Sequence, residues 1–342
     1  PRPKTAPASP MRLAPTARIP PPASRLLAAG LLTAAVAALP VRAAEPAPLA
    51  AGHDRFVGNV LTAQYDPMFV QYWNQVTPEN AGKWLSVEAT RGTRVWGVLD
   101  AMFAFARQHG MPVKQHAFVW GQQEPRWVAG LPPDEQRAAV DDWMRAFAER
   151  YPDVELIDVV NEPLHAPPSY AEALGGAGET GWDWVVWSFE RARAYFPDAI
   201  LLINEYNILC CAPIRARYAD LIALLQERDL IDGIGVQAHG LERADPAVIA
   251  ANLDALAALG LPIYVSELEL ESRDDAEQLA MFQRVFPVLW EHPAVAGVTL
   301  WGYRAGQIWK RNAYLVDWLD EERPALQWLR TYLQGEVDDG AP

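Results

Sequence analysis

Eight short apolar, β-branched runs alternate with longer segments of helical periodicity along this chain, and few folds accommodate that order. The runs fall at 54–60, 75–79, 113–120, 155–162, 199–206, 231–239, 262–269 and 295–303. Several are apolar at consecutive positions, the pattern of strands covered on both faces. Between them, Val95–Gln108, Asp134–Arg150, Trp182–Tyr195, Ile214–Arg228, Ala247–Leu259 and Ala276–Trp290 repeat apolar residues at three- and four-residue spacing. That spacing predicts amphipathic helices, and Gly110, Gly260, Tyr151-Pro152 and His292-Pro293 stand at their ends. The order predicts an α/β fold, a (β/α)8 TIM barrel in a single domain, with an open doubly wound sheet as the competing arrangement. Polar residues favour the barrel. The runs begin apolar and end in Glu79-Asn80, His116 to Trp120, Asn161-Glu162, Asn204-Glu205-Tyr206, Gln237 and His239, Glu267 and Glu269, and Trp301. A barrel builds its active site at that end of its strands.

The rest of the chain sorts around this unit. Residues 1–43 hold six basic residues and no acid, with an apolar stretch from Leu26 to Leu39 and small residues after Arg42. This is the composition of a secretory signal peptide. Met11 is then the expected start, residues 1–10 an upstream stretch, and cleavage falls near Ala43 or Ala44. The apolar stretch is short for a membrane span. Residues 44–52 read as a Pro/Ala-rich linker, 53–335 as the barrel and 336–342 as an acidic tail. Losing the leader takes the formal net charge from −14 to −20. So acidic a surface argues against nucleic acid or an anionic membrane as partner. A secreted or periplasmic monomer acting on a neutral substrate is expected. Cys210 and Cys211 are adjacent and form no disulfide framework or zinc spacing. A strained ring or two buried thiols are the open alternatives. No metal or other cofactor is expected.

Two strand ends carry the chemistry. Glu162 closes Asp158-Val159-Val160-Asn161-Glu162, and Glu267 closes a later strand in Val265-Ser266-Glu267-Leu268-Glu269. Alone, a strand-end Glu is more often half of a structural ion pair. Two such carboxylates facing one barrel mouth are what glycoside hydrolysis requires, one to protonate the leaving oxygen and one to attack or activate water. Asn161 can donate to a sugar hydroxyl as the transition state forms. His239 can bridge Glu267 and Glu269, which share a face because strand side chains alternate.

With VTPENAGKW (Val76–Trp84), HAFVWGQQEPRW (His116–Trp127), DVVNE (Asp158–Glu162), INEYN (Ile203–Asn207), IDGIGVQAH (Ile231–His239), SELE (Ser266–Glu269) and TLWG (Thr299–Gly302) in register from about residue 54 to 330, the chain resembles the family 10 glycoside hydrolases, the endo-β-1,4-xylanases. The resemblance implies a retaining hydrolysis of xylan through a covalent glycosyl-enzyme. It makes Glu162 the acid/base and Glu267 the nucleophile, oriented by His239 and Glu269. It implies that Glu79, Asn80 and Lys83 grip sugars on the non-reducing side. His116, Trp120, Gln123 and Gln237 would line the central subsite, and Tyr206 would face the leaving group. Trp301 and Trp309 would be flat platforms for pyranose rings. Formation of the glycosyl bond would remove the nucleophile's charge, switching Glu162 from acid to base, and a carboxyl separation of about 5–5.5 Å is expected.

Gly121 stands where the family commonly has His, Glu205 and Glu269 where it has Asp, and the loop Tyr303–Ile308 lacks the usual Asp-Lys and Ser. The missing imidazole at 121 predicts open room beside the glycone sites, sized for a decorated sugar. Two other readings compete: a barrel glycosidase acting on β-glucan or mannan, and a non-enzymatic oligosaccharide-binding protein. The Gln-x-His strand and the Glu-Asn-x-x-Lys-Trp segment favour xylan, and retention of both carboxylates favours an enzyme. Metal-dependent hydrolysis lacks a convincing His/Asp cluster.

Overall fold

The computed structural model describes residues 47–62 and 66–335. The expected leader with its cleavage site, and the acidic tail, lie outside the described residues. Eight strands run in chain order: β1 (Phe56–Leu61), β2 (Val76–Pro78), β3 (Lys114–Val119), β4 (Leu156–Asn161), β5 (Ile200–Glu205), β6 (Gly233–Val236), β7 (Ile263–Leu268) and β8 (Val295–Leu300). Helices α1 (Trp84–Val87), α2 (Gly97–Gln108), α3 (Pro133–Arg150), α4 (Asp183–Tyr195), α5 (Ala212–Gln226), α6 (Pro246–Ala257), α7 (Asp275–Trp290) and α8 (Pro324–Leu333) lie between and after them. Every strand pairing is parallel, in the order β2-β1-β8-β7-β6-β5-β4-β3. A single parallel bridge, Val76 to Val113, closes β2 onto β3, with the Val76 N–H donating to Pro112 O at 3.0 Å. This is a TIM barrel.

Local chemistry explains the boundaries. Pro lies in the first turn of α3, α5, α6 and α8, where its missing N–H costs nothing. Asp245 and Asp274 cap α6 and α7 by accepting from Ala247 N and Glu277 N, both at 2.9 Å. Strands β3, β4 and β7 are buried throughout, hence their consecutive apolar residues. Inside the barrel the lining changes with height. Leu156, Leu202 and Tyr264 plug the N-terminal end together with Phe56, Ile200 and Ala296, and each large apolar side chain so buried contributes about 1.5–3 kcal/mol. Above the plug the interior turns polar, with Thr299 Oγ1 donating to Gln75 Oε1 at 2.9 Å and Lys114 Nζ 3.1 Å from Asp158.

Register slips interrupt several ladders near the C-terminal ends of the strands, among them β3 on β4 between His116 and Val119. The register of β4 on β5 slips between Asp158 and Val160, and that of β7 on β8 between Val265 and Leu268. Such a slip interrupts the regular ladder, and an interruption of this kind re-aims nearby side chains. Beyond them, Asn161 and Glu267 both point at Asn204 across the barrel mouth.

Three expectations need amendment. The linker is not free along its length, because Leu49 and Ala50 are buried in the core and the Leu49 N–H donates to Tyr72 O at 2.9 Å. The cysteines are free thiols, with Cys210 exposed and Cys211 partly so, rather than a ring or a buried pair. Helix α8, unplaced by the sequence reading, buries Leu326, Leu329 and Leu333. No helix among the described residues is long and apolar enough to cross a membrane.

Candidate active site

A cleft of about 570 Å3 opens at the C-terminal ends of the strands. Its lining contains Glu79, Asn80, Lys83, His116, Trp120, Gln123, Asn161, Glu162, Tyr206, Gln237, His239, Glu267, Trp301 and Trp309, together with Gln122. Of the residues singled out from the sequence, only Glu269 stands behind this surface.

Glu162 sits just past β4 with φ +54°, in the left-handed region that L-residues seldom adopt. Its turn is held by main-chain bonds from His165 N and Ala166 N to Glu162 O at 3.1 and 2.8 Å. Three neutral donors reach its carboxylate: Trp120 Nε1 at 2.9 Å, Gln237 Nε2 at 3.1 Å and Asn161 Nδ2 at 3.3 Å. No cation among the described residues makes an ion pair with it within 4.0 Å.

Glu267 meets the opposite environment. Asn204 Nδ2 donates to it at 2.7 Å and His239 Nε2 lies 3.1 Å away, while His239 Nδ1 lies 2.8 Å from Glu269. Burial opposes ionisation of Glu267. The His239 hydrogen bond and the charges of His116, His239 and Lys114 outweigh it and hold the pKa at about 2. Burial likewise works against an imidazolium at His239, yet the two carboxylates push it up to about 10. Both shifts favour a carboxylate at Glu267 and an imidazolium at His239. Asn204 also donates to Asn161 Oδ1 at 2.9 Å, so two side-chain amides span the gap between Glu162 and Glu267.

The far wall is a polar grip. Lys83 Nζ donates to Gln123 Oε1 at 2.6 Å and Asn80 Oδ1 at 3.2 Å, and lies 4.9 Å from the Trp120 ring. Burial raises the pKa of Glu79 and lowers that of Lys83. Trp301 is buried, whereas Trp309 is 60% exposed and stands edge-on to His239 at 5.5 Å. Opposite, Tyr206 stacks on His165 at 4.1 Å. Glu205 is buried beneath, accepting from Leu164 N, Tyr206 N and His165 Nδ1 at 2.8–2.9 Å.

Residues 46–332 match the family model described as Glycosyl hydrolase family 10. The chain belongs to glycosyl hydrolase family 10. Endo-1,4-beta-xylanase B of Cellvibrio japonicus is 41% identical over 80% of this chain and 45% of its own length. The anti-sigma-I factor RsgI6 of Acetivibrio thermocellus is 28% identical over 75% of this chain and 34% of its own. This chain thus spans less than half the length of either relative. A family 10 structure from Paenibacillus barcinonensis, 24% identical, superposes with a TM-score of 0.76 over 86% of this chain and 99% of that one, a likeness of fold.

Within this family 10 barrel, one expectation fails outright. The space beside Gly121 is occupied. A Cβ there would lie 2.3 Å from Pro167 O and 2.5 Å from Ala166 O, and the Gly121 N–H donates to Ala166 O at 2.9 Å. Main chain, not a void, replaces the imidazole. Sequence reasoning also passed over Asn204 as a site residue, although it stands in the INEYN segment, and His165 and Lys310, which no motif marked. No group of three or more His, Cys, Asp or Glu among the described residues is arranged to hold a metal ion.

Proposed function

We propose that this chain is a retaining endo-β-1,4-xylanase, with Glu267 as nucleophile and Glu162 as acid/base. The charge asymmetry between the two carboxylates carries the reading. Glu267 is bonded to a protonated imidazole and is kept ionised, as an attacking group must be. Glu162 is bonded to three donors that carry no charge, so the two carboxylates stand in different environments, as two different roles require.

In the first step a Glu267 oxygen bonds to the anomeric carbon as the glycosidic C–O bond breaks, and Glu162 transfers its proton to the departing oxygen. In the second, Glu162 removes a proton from water, whose oxygen displaces Glu267 and restores the original anomeric configuration. Retention requires carboxyl groups about 5–5.5 Å apart, and Asn161 and Asn204 link the two carboxylates across a single gap. Asn161 would hold a hydroxyl of the reacting sugar. Asn80, Lys83, Glu79 and Gln123 would bind the non-reducing side, Trp301 and Trp309 would meet sugar faces, and Tyr206 would meet the leaving group.

Xylan is favoured over other β-glycans by the segments shared with the xylanases and by the Cellvibrio relative, itself named an endo-1,4-β-xylanase. Export through the N-terminal leader, cleaved near Ala43 or Ala44, and action as a monomer on xylan and xylo-oligosaccharides complete the proposal. The test is xylan hydrolysis by wild type, Glu162→Ala and Glu267→Ala, with azide and with the product anomer determined. Activity should fall about 10²–10⁴-fold in Glu162→Ala, the usual cost of losing a general acid/base, and further in Glu267→Ala. Azide should give a β-glycosyl azide with the first variant and an α-glycosyl azide with the second. Inverted products, or an inert wild type that still binds xylo-oligosaccharide, would overturn the reading.

A further inference from the structure

The charge around Glu267 does not balance within the strands that carry it. Glu267 and Glu269 are both buried and share one imidazole, His239. A buried carboxylate with too few cationic partners is expensive to keep. Cations on the earlier strands and loops face Glu267, but among the described residues none of these pairs with Glu269 within 4.0 Å. On β3, Lys114 and His116 lie 3.1 and 2.9 Å from Asp158, at the floor of β4. After β2, Lys83 is bonded to Gln123 and faces Glu79. Glu162 brings no cation of its own.

A second cation for Glu269 comes from the loop after β8. Lys310 Nζ lies 2.6 Å from Glu269 Oε1 and 3.3 Å from Glu242 Oε1, Glu242 itself being partly exposed. We propose that Lys310 is a positioning residue: it is the second cation that lets Glu267 and Glu269 be ionised together around His239, and it thereby sets how far the medium can be acidified before the nucleophile is lost. This rests on the reading of Glu267 as nucleophile. The result is a line of alternating sign, Glu267, His239, Glu269, Lys310, Glu242, running from the cleft to the surface. Burial works against the charge on Lys310, but Glu269 and Glu242 more than offset it and raise its pKa. Lys310 Nζ is also 5.5 Å from the Trp309 ring, so the same ammonium steadies a sugar platform.

Removing this ammonium need not release the loop. Asn312 donates from its main-chain and side-chain nitrogens to Glu271 Oε1 at 3.2 and 2.9 Å, a second tie between the loops after β7 and β8. The experiment compares the full chain with Lys310→Met and Lys310→Arg in two readouts. In kcat/KM for xylohexaose, the acid limb of Lys310→Met should move up by about one pH unit, and Lys310→Arg should restore it. Thermal unfolding needs no substrate. The pairing of Glu267 stabilises the fold above the ordinary carboxyl pKa of 4.5 and ceases to do so as pH falls towards about 2. The gap in Tm between wild type and Lys310→Met should therefore be widest at neutral pH and close on acidification, as a proton replaces the ammonium. A Tm gap independent of pH, or an unmoved acid limb, would reduce Lys310 to a packing role and sink the proposal. A wild type inert on xylohexaose would instead defeat the reading of the site, and the unfolding comparison would still decide the charge role.

Discussion

His239 is the residue on which the charge of Glu267, the proposed nucleophile, turns, since its two nitrogens lie 2.8 and 3.1 Å from different carboxylates. Its pKa is raised from 6.5 to about 10, so its contribution to stability is complete below 6.5 and is lost as pH rises through 10. Replacing it as His239→Asn should shift the acid limb of kcat/KM upward, because Glu267 loses the main influence holding it down. The Tm deficit of that variant should shrink above pH 10, measured by thermal scans across alkaline pH. Glu162 offers a separate residue-scale test. Its left-handed backbone costs an L-residue about 1–2 kcal/mol, part of which glycine's greater chain entropy takes back. Glu162→Gly should thus be more stable than Glu162→Ala by up to about 1 kcal/mol in chemical denaturation, although both lack the carboxylate. A larger Ala stability would contradict the strain at that position.

At the scale of elements, the segment after β3 packs closely on the turn after β4. Gly121 fits against Ala166 and Pro167 only because it has no side chain. Gly121→Ala should lose about 1–3 kcal/mol of stability by overpacking against main chain that cannot swing aside, and Gly121→His should lose more, both read from denaturation midpoints. The strand and helix order was legible from periodicity alone: each of the eight expected runs matches a strand, the first falling one residue short of the end of β1, and the six expected helices end within about two residues of the observed bounds. Interruptions of the ladders are not legible in that way. Nothing in Asp158-Val159-Val160 or Ser266-Glu267-Leu268 announces a register slip, which arises from the pairing of neighbours far away in sequence. The same limit hid Lys310, whose importance comes from Glu269, a residue 41 positions earlier that only the closed barrel brings within 2.6 Å. The open space expected at Gly121 failed for the converse reason. A missing side chain was read as a hole, when a loop from the next strand fills it. Trp309, exposed on the β8–α8 loop, was legible through its motif context; Trp309→Ala should weaken xylo-oligosaccharide binding by about 0.5–1.5 kcal/mol, seen as a raised KM with kcat little changed.

Across the molecule, the barrel wall is not uniform. Seven junctions between strands are parallel ladders of several residue pairs, some with a register slip, whereas β2 meets β3 through one bridge at Val76 and Val113. Backbone amides opening there lose little pairing, so hydrogen exchange should be faster at Val76 than at buried amides of β4 or β7. Equal protection around the whole circumference would contradict this. The formal charge of −14 is spread over a chain whose proposed substrate is neutral. Added salt should therefore leave the rate of xylo-oligosaccharide capture nearly unchanged, in contrast to an enzyme that steers an ionic substrate.

Because the barrier beside Gly121 is built from carbonyl groups of the following turn, exchanging single amino acids can only thicken it. A lineage acquiring tolerance for branched polymers at that position would have to shorten or reroute the segment around Ala166 and Pro167. Such a history would leave its trace in alignments as gaps rather than replacements.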